Sequence, residues 1–131
     1  MSELIERHLV ETRSQQERLE VCLQRRGTST STLKDTAGQA TAFLQGMGGM
    51  MASDEIVKAT MANYAFEQME IAAYRILMTA AETAGDGETA RVCEEICREE
   101  EQMAALLMDR IPEVTQTYLA RNEASLAEAK R

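Results

Sequence analysis

A single proline, Pro112, and seven glycines are the only strong breaks in 131 residues. Between them Ala, Glu, Leu, Met, Gln and Arg recur, the residues that lose least on entering a helix. No stretch alternates apolar and polar residues around Val, Ile and Tyr, so strand signals are nearly absent. The chain is therefore expected to be all-α. Its length fits one domain over residues 1–131.

The breaks predict about five helices. The first runs from Ser2 to about Arg26 and stops at Gly27, where Thr28 to Ser31 offer caps. The second covers about Thr32 to Met51, with Gly46, Gly48 and Gly49 inside it or at its end. The third is capped by Ser53 or Asp54, runs to about Ala84 and is closed by Gly85-Asp86-Gly87. The fourth runs from Glu88 to Arg110 and is expected to end at Ile111-Pro112, because proline cannot continue the hydrogen-bond ladder. Residues 112–131 form a polar accessory helix and tail. Long helices with short connections make an antiparallel bundle, so function lies in its core or on an outer face.

Charge narrows the choices. The formal net charge is −8, from 14 basic and 22 acidic residues. That excludes a sequence-independent nucleic-acid binder and docking on an anionic membrane. No run of about 18 apolar residues could span a bilayer. The charged opening, MSELIERHLVETRSQQERLE, is not expected to be a secretory signal. Three cysteines leave one over after any single disulfide, which suits a reducing cytoplasm.

At about 100° per residue, the fourth segment presents Val92, Cys93, Ile96, Cys97, Met103, Ala104, Leu107 and Ile111 as one apolar stripe. Glu100 falls near its middle, whereas Glu94, Glu95, Glu99 and Glu101 lie mostly on the other side. The third segment's stripe reads Ala59, Phe66, Ala73, Leu77, Ala80 and Ala81. Glu70 lies inside it, and Glu67 flanks it one turn earlier. The first segment is expected to bury Ile5, Leu9, Thr12, Leu19 and Leu23. His8 sits at the edge, with Glu11 and Gln15 further round. His8 is the only histidine. Buried carboxylates demand a shared proton, salt bridges to residues such as Arg13, Arg18, Arg75 or Arg91, or a divalent cation.

The stretch Phe66-Glu67-Gln68-Met69-Glu70-Ile71-Ala72-Ala73-Tyr74 is the most specific piece of the chain. It resembles the Glu-His-Tyr-Glu-Ile-Ala-Ala-Tyr signature of the YciE/YciF family of ferritin-like stress-response proteins. His8-Leu9-Val10-Glu11-Thr12 resembles that family's His-Leu-x-Glu-Thr helix, and Glu95 to Glu101 its Glu-Glu-containing last bundle helix. The similarity spans most of residues 3–110 in order. It implies a ferritin-like, rubrerythrin-like bundle, usually dimeric and induced under stress. The metal ligands it implies are Glu11, Glu67 and Glu70, with Glu100 added by its stripe position. His8 is a candidate nitrogen ligand.

The chain departs from that pattern in three places. The family's first helix, with its Asp-Leu-Tyr-x-Ala-Glu-like motif, has no counterpart before Met1. Gln68 replaces the signature histidine. Met103 or Ala104 stands one turn after Glu100, where no second ligand is offered. An incomplete site holding iron or manganese and a core holding no metal both stay open. A three-helix remnant would expose an apolar groove, so a homodimer is expected. The Met-rich segment Leu44 to Met51 is a candidate contact surface. The first functional expectation is a stress-associated metal protein handling oxygen or peroxide, on an unknown small-molecule substrate. The alternative is a non-enzymatic dimeric structural or interaction module with inherited inward carboxylates.

Other chemistries lack support. Gly46-Met47-Gly48-Gly49 has no following Lys-Ser/Thr, so it is no phosphate loop. Cys93 and Cys97 are four apart and read as small core residues. A single imidazole without a nucleophile elbow supports no hydrolytic triad, and no haem-attachment motif is present.

Overall fold

The computed structural model describes residues 2–27 and 55–129. Among these residues there are three helices and no strand: α1 (Ser2–Arg25), α2 (Glu55–Thr83) and α3 (Gly87–Ala129). The all-α expectation holds, and among the described residues the expected fourth and fifth helices are one, α3. The expected second helix, with its glycines and the Leu44–Met51 surface, lies outside the described residues, as do the caps Ser53 and Asp54.

The turn between α2 and α3 follows directly from its residues. Gly85 takes φ +71°, a left-handed conformation that glycine adopts without a Cβ clash. Asp86 N–H donates to the Ala81 carbonyl at 2.8 Å and Gly85 N–H to that of Glu82 at 3.0 Å. These two bonds form a Schellman cap. Asp86 then caps the next helix, its carboxylate accepting from Thr89 N–H at 3.1 Å. One residue thus closes α2 and opens α3, which forces the two helices antiparallel.

The same Asp86 ties down α1. Arg25 and Arg26 donate to its two oxygens at 2.5 and 2.8 Å. These pairs hold its carboxyl well below the usual range, together with the larger contribution of the Thr89 hydrogen bonds. Gly27, at φ +70°, ends α1 next to this clamp. Arg25 also reaches Glu88, and Gln15 reaches Glu99 and Glu100, so α1 runs antiparallel to α3.

Pro112 does not end a helix. α3 continues through it to Ala129. Leu107 and Val114 are buried on either side and anchor the helix across the break. Pro112 and Met108 are exposed, so the lost backbone bond lies on the solvent side. Arg110 and Glu113 pair across the proline at 2.7 Å. Packing therefore overrides the local breaking tendency.

The expected α3 stripe is the core. Ile96, Leu107, Glu100 and Cys93 are its largest fully buried side chains. The other two stripes need correction. In α2 the inward residues are Thr60, Ala62, Glu67 and Ala81, while Leu77 is 47% exposed and Ala73 and Ala80 face outward. Apolar residues surround α2 on most sides, so periodicity alone did not select the face. In α1 Leu19 packs against the core as expected and Leu23 is half-buried, but the fully buried residues are Gln15 and Cys22, whereas Leu9 is 52% exposed and Thr12 is exposed. The Ile5 side chain lies outside the described set. Gln15 is an inward residue because α1 faces the carboxylates of Glu99 and Glu100 there.

Candidate metal centre

Three helices bring His8, Glu67 and Glu100 together. One ligand atom from each lies within 4.8 Å of the other two. His8 Nε2 stands 3.3 Å from Glu67 Oε1. Glu67 is 2% exposed and Glu100 1%. Each of the three carries a buried atom with no hydrogen-bond partner: His8 Nδ1, Glu67 Oε2 and Glu100 Oε2.

Glu11 and Glu70 are half-buried and stand near this cluster without joining it. Their charges reach Glu67. Burial pushes the Glu67 carboxyl well above the usual range. A hydrogen bond with Glu100, and the charges of Glu100, Glu70 and Glu11, push the same way. Burial first, then the charge of Glu100, pushes Glu70 up to about 7. Tyr74 is raised by burial and by the charges of Glu70 and Glu100. All these shifts have one origin: negative groups gathered in a low-dielectric core.

The arginines do not relieve that accumulation. Among the described residues, Arg18 pairs with Glu99 and Glu95, Arg75 with Glu101, and Arg91 with Glu95. None of these pairs involves Glu67, Glu70 or Glu100. Among the described residues three remedies for the buried carboxylates remain: an ion pair of Glu67 with a protonated His8, a proton shared between Glu67 and Glu100, or a cation.

From the sequence His8, Glu67 and Glu100 are all candidates, but Glu70 is expected to be the inward residue of its pair. The structure reverses that order, because α2 is rotated to carry Glu67 and Ala81 inward. Gln15 has no role predicted from sequence. Gln15 is 4% exposed, and its Nε2 donates to Glu100 Oε1 at 2.5 Å and Glu99 Oε2 at 3.0 Å. Its place beside Glu11, on the same side of α1, was the available signal.

The fold and the cluster define a helical-bundle protein with a buried carboxylate–imidazole site. The sequence matches the family model described as a domain of unknown function, DUF892, over residues 1–120. The chain belongs to that family. It is also similar to a solved protein of Xanthomonas campestris pv. campestris (XCC3681), at 30% identity and a TM-score of 0.75. That match covers 92% of this chain and 73% of the other. No described helix is long and apolar enough to cross a membrane.

Proposed function

We propose that the His8–Glu67–Glu100 cluster binds a divalent cation, iron or manganese, and that this ferritin-like protein works through it. The observation that carries this reading is the convergence of one ligand atom from each residue within 4.8 Å, with an unpartnered buried oxygen on each glutamate. An unsatisfied buried polar atom costs about 1–3 kcal/mol, so two such oxygens on neighbouring glutamates, beside an imidazole nitrogen 3.3 Å from Glu67, ask for a shared partner. One nitrogen and two carboxylate oxygens form a donor set that suits iron and manganese. Two carboxylates would neutralise a dication, while Glu11 and Glu70 add negative potential around it.

Bound iron or manganese would supply one-electron chemistry toward oxygen or peroxide. The side chains would hold the ion, balance its charge and, at Glu67, release a proton as it binds. A stress-associated role and two copies per assembly follow from the YciE/YciF resemblance, a cytoplasmic setting from the cysteines, and all are part of this proposal. Exposed Ile76 and Leu77 support a partner surface on α2, and three free cysteines suit a reducing compartment.

The alternative is an interaction module whose core carboxylates share a proton permanently. The raised Glu67 carboxyl, bonded to Glu100, favours it. Elemental analysis of untagged protein purified without chelator separates the two. Near-stoichiometric iron or manganese is expected. No metal, even after anaerobic loading with iron(II), would sink the first reading.

A further inference from the structure

Gln15 occupies a buried position on α1 where an apolar residue would ordinarily pack. Its neighbours explain the choice. The Nε2 group carries two hydrogens, and carboxylate oxygens of both Glu99 and Glu100 lie within its reach. The opposite amide orientation would set a carbonyl oxygen against two acidic groups, so the donor orientation is determined by charge. Glu99 is itself held by Arg18 Nη2 at 2.5 Å, and Arg18 Nη1 lies 3.9 Å from Glu95. An unbroken line of contacts thus runs Arg18–Glu99–Gln15–Glu100, from the partly exposed surface to the centre of the core.

The line engages Glu100 asymmetrically. Oε1 accepts from Gln15, while Oε2 is buried without a partner. A carboxylate gripped at one oxygen cannot rotate freely to offer both. We infer that Gln15 is the positioning residue of the cation site: it holds Glu100 so that Oε2 alone is presented to the ion. This inference rests on the reading of the cluster as a cation site. It adds which residue sets the binding mode of one ligand, and it links that mode to a surface Arg–Glu pair. Without Gln15, Glu100 can swing and offer both oxygens, and the site loses its preset geometry.

The test uses the full chain with manganese(II) and cobalt(II) as probes. Gln15→Leu removes both donors at similar volume, and Gln15→Met is a second, unbranched replacement should the first fail to fold. Circular dichroism first establishes that the variant is helical. Manganese(II) affinity, followed by electron paramagnetic resonance, is expected to fall about 10–100-fold, the usual effect of losing a group that orients a ligand. The visible absorption of bound cobalt(II) should also change in band position and intensity, which a loss of stability alone would not produce. If wild-type protein binds and a folded variant binds with the same affinity and cobalt spectrum, the inference is overturned and the cation site survives. If wild-type protein binds neither probe, the cation site is overturned and the inference falls with it.

Discussion

Replacing Glu67 by methionine should make the metal-free protein more stable and the metal-loaded protein relatively less so. Glu67 is 2% exposed, has one oxygen without a partner, and sits against the charges of Glu100, Glu70 and Glu11. Methionine has similar length, favours a helix and needs no hydrogen bond. His8, 3.3 Å from Glu67 Oε1, is only part-buried and can turn toward water. Removing an unsatisfied buried polar group recovers about 1–3 kcal/mol, in line with apolar replacements of other buried charged groups. For a domain of this size that corresponds to a rise in Tm of about 4–10 °C. The assay is thermal unfolding by circular dichroism at pH 7, first in excess chelator and then with manganese(II). At one hundred times Kd, a bound ion stabilises wild type by about 2.7 kcal/mol, whereas the variant has lost a ligand and should gain little. The two proteins should therefore exchange rank or nearly so. A variant that is less stable in chelator, or that gains as much from manganese as wild type does, would refute the reasoning.

Three further outcomes are expected. Glu70 is pushed up to about 7, so the native state holds its proton more tightly than the unfolded chain. Its contribution is fully present below pH 4.5 and lost as pH rises toward 7. The loss is about 2–3 kcal/mol, allowing for partial exposure, and chelator-treated Glu70→Gln should show a flatter urea-stability profile over that range. Pro112→Ala should stabilise by about 1–3 kcal/mol, since it restores a helix bond inside continuous α3; unchanged or lower stability would mean that the helix is not continuous there. Cys22, Cys93 and Cys97 are all free and buried, and burial pushes the Cys93 thiol up to about 11. Native protein at pH 8 should react slowly with an aromatic disulfide reagent, then fully once unfolded, and a fast native reaction would contradict this packing.

What could be read from the residues alone was what local chemistry controls. Helix-forming composition, the glycine at the end of α1, the Gly85-Asp86-Gly87 turn and the α3 stripe with Glu100 at its centre were all legible. Each depends on neighbours within a few positions. The face that α2 turns inward was not legible, because Ala, Ile, Met and Leu lie on most of its sides and give little preference. Nor was the role of Gln15, whose partners Glu99 and Glu100 are 84 and 85 residues away. Pro112 shows the same division: its breaking tendency is local, but burial of Leu107 and Val114 on either side outweighs it. The sequence by itself determined that this chain is helical and that acidic residues stand among its apolar ones. Tertiary packing alone decided that Glu67 rather than Glu70 joins Glu100 and His8, because the cost of burying a charge depends on every helix that closes around it.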